Sequence, residues 1–503
     1  MKSVWQKLHK IGAILHLPDM PNWVVGILAL VLILRIPSFF EPYYYGDEMV
    51  YLTLGQGIHQ GLTLYKDIHD NKPPLLYFTA AIAGNLFWFK VILAFWSFAT
   101  IFIFYKLSER LFAGRVNAQK ISTLIFALLT TLPLLEGNIA NAELFMIEPS
   151  ILAILLLLSD KLNIKKVFMA GILFGFATLF KVPAAFDLPV IIIFWLITKN
   201  LRSNWKEIIK NSFVLTAGFA LPIILTFVWY FSKGALSEYI RAAFLQNIGY
   251  LSSFRPGDIQ KPFLVRNGPL LIRAAVVAVS FIILYVFRRK LSRNLILFSV
   301  WTFLALFAIT LSERPYPHYF IQAVAPVSFL LTMLFSEKSI EQSLSIIPLT
   351  VAFLVPVVYK FYYYPTTSYY TRFIEFATQK IDKKTYFSMF SANTNRNYEI
   401  AEFLVNSSLP SDKVFMWDSD SAAVYALSRR LPPIKYVVPY HVYDYSSTAI
   451  VAKEIEKDLP KFIILTSGNP YPELTGLIRS KYLLVREIGN ASIYSEINLA
   501  SGR

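Results

Sequence analysis

Long apolar runs, separated by short loops rich in charge, occupy the first 364 residues of the chain. A helix needs roughly 20 apolar residues to cross the hydrocarbon core of a bilayer, and most of these runs approach that length. The pattern therefore predicts about eleven membrane-spanning helices. They are expected near residues 22–40, 88–106, 120–135, 144–159, 167–181, 184–198, 212–232, 268–287, 295–311, 319–336 and 345–363.

The pattern changes after residue 364, where no further run is long enough to span a bilayer. Short apolar runs alternate there with segments of helical periodicity, which is typical of a small α/β layer. The predicted strands are Lys413–Trp417, Ile434–Val438, Lys461–Thr466 and Tyr482–Val485, and the predicted helices are Ser421–Arg430 and Ala449–Leu459. We therefore predict a polytopic α-helical membrane domain at 1–364 and a soluble α/β domain at 365–503.

Composition agrees with this division, because 55% hydrophobic and 16% aromatic residues are too many for a soluble protein. The net charge of +16 could suit nucleic acid, but the basic residues concentrate in short loops such as 106–120, 199–210 and 288–293. We predict no nucleic-acid partner. The positive-inside rule instead predicts a multi-pass protein of the plasma membrane, with a cytoplasmic N-terminus and an extracytoplasmic C-terminal domain. The chain has no cysteine, which excludes thiolate nucleophiles and thiolate metal sites.

The loop after the first predicted span carries the most informative polar residues. Asp47 and Glu48 follow that span directly, and a carboxylate at a water-accessible membrane face can act as a general base. The alternative is a helix cap or a head-group contact. Lys72 precedes the rigid Pro73-Pro74 pair, where a fixed backbone could direct its ammonium at a phosphate. The alternative is a lysine that snorkels to lipid phosphates.

Five further candidates lie at the ends of later spans: Glu143, Lys181, Arg314, His318 and Tyr319. Glu143 belongs to the second outer loop, so it could approach the reacting groups or face water. Lys181 ends a span, where it could bind phosphate or snorkel. Arg314 and His318 could together hold a phosphate oxygen, beside Tyr319, or His318 could be an interfacial histidine.

The outer-loop motifs follow one another in the order Asp47-Glu48 with Tyr51, Gly61–Tyr65, Asp67, Asp70–Pro74, Asn141–Glu143, Phe180-Lys181 and Arg314–Tyr319. This order resembles that of the GT-C glycosyltransferases of the protein O-mannosyltransferase and aminoarabinose transferase superfamily. The resemblance runs through the whole membrane part. It implies a GT-C-like membrane fold and the transfer of a sugar from a polyprenyl-phosphate carrier.

The resemblance also implies roles for particular residues. The acid directly after the first span, Asp47 here, corresponds to the catalytic base, and Lys72 corresponds to a ligand of the donor phosphate. Glu143 corresponds to an acid that approaches the acceptor or the catalytic centre. Some relatives carry a glutamate directly before the lysine, near a metal ion, but this chain has Asn71 there. No cofactor is therefore predicted as required, and a divalent metal stays an open alternative.

The expected reaction is a single displacement that inverts the anomeric carbon and transfers the sugar to a hydroxyl or amine on the extracytoplasmic face. The predicted partners are the lipid-linked donor, membrane lipids and an acceptor that is a protein, a glycolipid or a cell-wall polymer. The C-terminal domain is expected to cover the acceptor entrance and to carry no catalytic group. Three alternatives stay open: a secondary transporter or flippase of a lipid-linked sugar, a hydrolase, and a non-catalytic scaffold.

Overall fold

The computed structural model describes residues 20–249, 262–336 and 338–497. The first 19 residues of the predicted membrane domain and the last six of the predicted soluble domain lie outside the described ranges. Within the described part, six helices are long and apolar enough to cross a membrane: Asn22–Phe40, Leu86–Leu111, Ser203–Ser232, Phe263–Phe287, Pro317–Ser336 and Ile340–Val358. Three further apolar helices are shorter, at Val116–Leu129, Val182–Thr198 and Arg293–Ile309. The predicted helical architecture is present, but the count of about eleven spans is not confirmed.

The helices up to residue 364 are α1 Asn22–Arg35, α2 Gly46–His59, α3 Leu75–Ala83, α4 Leu86–Leu111, α5 Val116–Leu129, α6 Ala142–Leu157, α7 Ile164–Phe180, α8 Leu188–Thr198, α9 Leu201–Ser232, α10 Leu236–Ile240, α11 Gln246–Gly249, α12 Phe263–Phe287, α13 Arg293–Ile309, α14 Ile321–Ser336, α15 Ile340–Leu344 and α16 Ile346–Val358. Short 3₁₀ turns precede two of them, Val182–Asp187 before α8 and Pro317–Phe320 before α14. Helix α2 is almost entirely buried, although it is not among the predicted spans.

Glycines bring α7 and α9 into backbone contact. A Cβ atom on Gly171 would overlap the carbonyl oxygen of Leu215, and one on Gly218 would overlap that of Phe168. A Cβ atom on Gly175 would overlap the ring of Pro222. Small residues allow such close approach between apolar helices, which gain dispersion contacts along the line where they meet.

The chain after residue 364 forms the helices α17 Thr366–Ala377, α18 Lys383–Ser388, α19 Thr394–Ser407, α20 Ser421–Ser428, α21 Pro439–Tyr445, α22 Thr448–Lys457 and α23 Thr475–Lys481. Its strands are β1 Val414–Trp417, β2 Phe462–Thr466, β3 Tyr482–Ile488 and β4 Ala491–Glu496. They form one sheet in the order β1-β2-β4-β3, in which β1 and β2 are parallel and the other pairs are antiparallel. The predicted α/β layer is therefore present.

Two strand predictions differ from the structure. The run Ile434–Val438 is buried but is not a strand, because its backbone binds elsewhere. The carbonyl of Lys435 accepts from the amide of His69, and that of Val437 accepts from the hydroxyl of Ser421. Strand β4 was not predicted, since its sequence ASIYSE has few apolar residues and pairs through its backbone.

The region after residue 364 packs directly on the membrane part. Helix α20 lies against α2, where Thr53 donates to the carbonyl of Ala422 at 3.0 Å and Gln56 donates to that of Ala426 at 2.8 Å. Buried residues of α19, α20 and the sheet belong to the same hydrophobic core as the membrane helices. The two predicted domains therefore share one core across the surface of α2.

Candidate active site

A cavity of about 700 Å³ opens where the loops before α3, α6, α8 and α14 meet the C-terminal region. All predicted site residues except Glu48 line it: Asp47, Lys72, Glu143, Lys181, Arg314, His318 and Tyr319. These residues come from five separate stretches of the chain. Their convergence brings cationic and anionic side chains into one partly apolar chamber, which is the usual composition of a ligand pocket.

Asp47 lies in the first turn of α2, where a carboxylate is stabilised by the helix dipole. Its Oδ2 accepts from the hydroxyl of Tyr51 at 2.9 Å and lies 3.6 Å from the ammonium of Lys72. The side chain is one-third exposed to the cavity (33%). Burial raises the pKa of Asp47, but Lys72 and His318 outweigh that effect, so the pKa lies below its ordinary value. The group is therefore a carboxylate at neutral pH and can accept a proton.

Lys72 lies in a turn whose backbone is fixed on both sides. The carbonyl of Lys72 accepts from Tyr65 at 2.8 Å, and its amide donates to the hydroxyl of Tyr77 at 3.3 Å. The ammonium lies 5.0 Å from the ring centre of Tyr51 and 4.0 Å from Asp70 Oδ2. Pro73 and Pro74 follow Lys72 and lead into α3. Their fixed backbone keeps α3 from extending into the turn that holds Lys72.

A second cation pairs with Glu143 across the cavity wall. Glu143 lies in the first turn of α6 and Lys181 follows the last residue of α7, so both charges are placed favourably for their helix dipoles. The Lys181 ammonium contacts Glu143 Oε1. It also lies 3.9 Å from the ring centre of Tyr319, which is the geometry of a cation–π contact. The side chains of Glu143, Lys181 and Tyr319 thus lie together at one point of the cavity wall.

His318 stands between two carboxylates. Its Nδ1 contacts Glu136 Oε2, and its Nε2 lies 3.7 Å from Glu143 Oε1. Glu136 also accepts from Tyr45 at 2.8 Å and from Asn141 at 3.2 Å. Glu136 was not among the predicted site residues, although it is an acid of the same short loop that precedes Glu143. Its contacts fix the orientation of the imidazole ring.

Arg314 and four residues of the C-terminal region also line the cavity. Arg314 is exposed and its side chain faces the cavity from the loop between α13 and α14. Helix α21 contributes Tyr440, His441, Asp444 and Tyr445. The C-terminal region therefore forms part of the cavity wall, and no motif in its sequence pointed to these residues.

Glu48 is the candidate that the structure places elsewhere. It is buried, and its Oε1 lies 2.6 Å from the ammonium of Lys90 and accepts from the amide of Ala140 at 2.6 Å. Lys90 also contacts Glu41 at 2.9 Å and donates to the carbonyl of Asn138 at 2.9 Å. Neighbouring residues on a helix point about 100° apart, so Asp47 faces the cavity while Glu48 faces the protein interior.

The residues at the cavity do not fit a divalent metal. Among the described residues, no group of three or more His, Asp or Glu side chains has a metal-binding arrangement. The carboxylates of Asp47 and Asp70 both face the ammonium of Lys72, and Asn71 donates its amide to a tyrosine of the C-terminal region. The positive charge that a metal would supply next to these acids is already provided by lysine.

Comparison with solved structures identifies proteins that share this fold. The crystal structure of ArnT from Cupriavidus metallidurans bound to undecaprenyl phosphate matches with a TM-score of 0.55 at 12% identity, over 96% of this chain and 100% of that one. The apo structure of ArnT matches with a TM-score of 0.55 at 13% identity, over 94% of this chain and 98% of that one. This chain has the fold of ArnT. The fold that the predicted resemblance implied is thereby confirmed.

A third match is weaker. Archaeal oligosaccharyltransferase AglB from Archaeoglobus fulgidus gives a TM-score of 0.47 at 13% identity, over 88% of this chain and 69% of that one. No protein-family model and no curated protein matches the sequence. The ArnT fold together with the apolar helices confirms the predicted class of a helical membrane protein.

Proposed function

We propose that the chain transfers a sugar from a polyprenyl-phosphate carrier to an acceptor hydroxyl or amine. The observation that carries this proposal is the grouping of Lys72, Lys181, Arg314 and His318 around Asp47 in one cavity. The four basic side chains can donate hydrogen bonds to a phosphate, and the Asp47 carboxylate can accept a proton from the acceptor. The fold agrees, since the ArnT structure with the same fold holds undecaprenyl phosphate.

The lining of the cavity suits a phosphate that carries a lipid. Next to the charged side chains, the wall includes the apolar residues Met146, Val182, Phe186, Ala308 and Ile309. These residues belong to or adjoin membrane helices, so a polyprenyl chain could lie along them while its phosphate meets the cations. A soluble sugar nucleotide would not need this apolar wall.

The proposed reaction breaks the bond between the anomeric carbon and the phosphate oxygen, and the bonding electron pair leaves with the phosphate. Lys72, Lys181 and Arg314 stabilise the charge that develops on that oxygen. The acceptor oxygen or nitrogen attacks from the opposite side and transfers its proton to Asp47. One displacement inverts the configuration of the anomeric carbon and requires no covalent enzyme intermediate.

Transfer and transport can be separated by incubating purified protein in detergent with a radiolabelled lipid-linked sugar and a panel of acceptor glycolipids, peptides and polymers. A transferase is expected to move label to one acceptor in the absence of any membrane. Release of free sugar without acceptor labelling would identify a hydrolase. Binding of the donor without any chemistry would favour the transporter or flippase.

Replacement of Lys72 by alanine is expected to weaken binding of undecaprenyl phosphate by about 10- to 100-fold, which corresponds to a charged hydrogen bond of roughly 1.5–3 kcal/mol. Affinity can be measured by thermophoresis of the purified protein. Lys66→Ala is the matched control, because Lys66 is an exposed lysine of the same loop that does not line the cavity. Equal affinities of wild type and Lys72→Ala would indicate that Lys72 does not bind the donor and contacts lipid head groups instead.

The proposed reaction takes place on the extracytoplasmic face, which requires the orientation predicted from loop charge. Because the native chain has no cysteine, single cysteines can be labelled with a membrane-impermeant maleimide in intact cells. Cysteines at Lys66 and Lys413 are expected to react, and those at Lys210 and Arg289 are expected to react only after lysis. Labelling of the Lys210 cysteine in intact cells would contradict the predicted orientation.

A further inference from the structure

The carboxylate of Asp70 connects Lys72 to the C-terminal region. Its Oδ2 lies 4.0 Å from the Lys72 ammonium, and its Oδ1 lies 3.3 Å from Nε2 of His441. The side chains of Asp70 and His441 are only 3% and 4% exposed. Burial alone would raise the pKa of Asp70, but Lys72 and His441 hold it well below its usual range. The carboxylate is therefore charged, and it interacts with both neighbours in a medium of low polarity.

The residues on either side of Asp70 are held by the same region. The amide of Asn71 donates through Nδ2 to the hydroxyl of Tyr445 at 2.9 Å, and the backbone amide of His69 donates to the carbonyl of Lys435 at 2.9 Å. The ring of His69 packs edge-on against that of Tyr445, with centroids 5.0 Å apart. Three consecutive residues before Lys72 thus depend on the C-terminal region for their position.

Helix α21 supplies the contacts of Asp70 and Asn71, and it also lines the cavity. Residues four apart on a helix share a face, and the pair His441 and Tyr445 lies next to the pair Tyr440 and Asp444. Tyr440 and Asp444 are exposed and belong to the cavity wall. A molecule that contacts the second pair therefore touches the helix that fixes the turn before Lys72.

We propose that His441 and Tyr445 are positioning residues for the Lys72 ammonium. Through Asp70 and Asn71 they set the strength with which Lys72 holds a phosphate, so that the C-terminal region acts on the donor site as well as on acceptor access. Naming the anion as a lipid phosphate rests on the proposed function, but the positioning itself does not. By linkage, a ligand on Tyr440 and Asp444 and a phosphate on Lys72 affect each other's affinity equally.

A pair of tyrosine variants tests this proposal with matched chemistry. Tyr445→Phe removes the hydroxyl that accepts from Asn71, whereas Tyr471→Phe removes a hydroxyl that donates to the carbonyl of Thr448 at 2.7 Å elsewhere in the same region. Binding of undecaprenyl phosphate is expected to weaken about tenfold in Tyr445→Phe and to be unchanged in Tyr471→Phe. Equal weakening, or none in either, would overturn the proposal.

A double-variant comparison separates positioning from general damage to the fold. His441→Phe is expected to weaken undecaprenyl phosphate binding about tenfold when Lys72 is present and to have no effect in the Lys72→Ala background. His441→Gln can still donate to Asp70 and should restore most of the affinity. If His441→Phe lowers affinity by the same factor in both backgrounds, its effect is structural and the proposal is wrong.

The reactivity of Lys72 gives a readout that needs no lipid. Acetylation of Lys72 by acetic anhydride can be followed by mass spectrometry, with Lys66 as the internal reference. We expect its relative rate to change in His441→Phe and Tyr445→Phe but not in Tyr471→Phe. If wild-type protein does not bind undecaprenyl phosphate, the proposed function fails, and this rate alone decides the positioning. An unchanged rate in all three variants would overturn it.

Discussion

Replacement of Asp47 by asparagine is expected to lower turnover by about 10²- to 10⁴-fold, the usual loss when a general base is removed. The amide keeps the shape of the side chain and the contact with Tyr51, but it cannot accept a proton from the acceptor. Binding of undecaprenyl phosphate should persist, because the lysines and the arginine stay in place. The measurements are transfer of label from a lipid-linked sugar and, separately, affinity for the lipid phosphate.

Asp67→Asn is the control for this experiment. Asp67 is an exposed acid of the same loop, and its carboxylate accepts from the backbone amide of Thr63 at 2.8 Å, away from the cavity. Its replacement should leave turnover near normal. If Asp47→Asn also kept near-normal turnover, Asp47 would not be the base, and Glu143 would be the next carboxylate of the cavity to test.

Replacement of Lys90 by methionine is expected to cause the largest loss of stability, about 3–5 kcal/mol. The Lys90 side chain is fully buried and contacts both Glu41 and Glu48, so its removal leaves these two buried acids without the ammonium that they share. The loss can be measured as a fall in the thermal unfolding midpoint of the protein in detergent. The triple variant with Glu41→Gln and Glu48→Gln should recover much of the loss, because the uncompensated charges are then gone.

The matched control is Lys106→Met. Lys106 lies on the same helix α4, but its side chain is 34% exposed and its pair with Glu109 is a surface contact. Such pairs contribute about 0–1 kcal/mol. A Lys90→Met protein as stable as Lys106→Met would mean that the buried cluster is neutralised in another way.

Three charged residues that line the cavity, Asp47, Glu143 and Lys181, were predictable because they stand at helix ends. Asp47 and Glu143 begin helices and Lys181 ends one, so a local reading of span boundaries finds them. The same reading could not separate Asp47 from Glu48, since both follow the first span. Only the direction of each side chain on α2 decides which one meets the cavity, and that direction depends on the packing of α2.

Contacts between distant parts of the chain could not be read from the sequence. Glu136 meets His318, which is 182 residues away, and Asp70 meets His441 of the C-terminal region. The run Ile434–Val438 has the composition of a strand, yet two of its carbonyls accept hydrogen bonds from His69 and Ser421. Long-range pairing overrides local propensity at these positions.

The backbone contact between α7 and α9 bears on how Lys181 meets a ligand. At Gly171, Gly175 and Gly218 the two helices approach so closely that even a Cβ atom would overlap the neighbouring helix. Lys181 directly follows the last residue of α7, and its ammonium is already held against the ring of Tyr319. Immobilising a long side chain on binding commonly costs about 0.5–1.5 kcal/mol. In the proposed reaction the donor phosphate would therefore meet a cation whose position is already fixed, and little binding energy would be lost to the conformational entropy of Lys181.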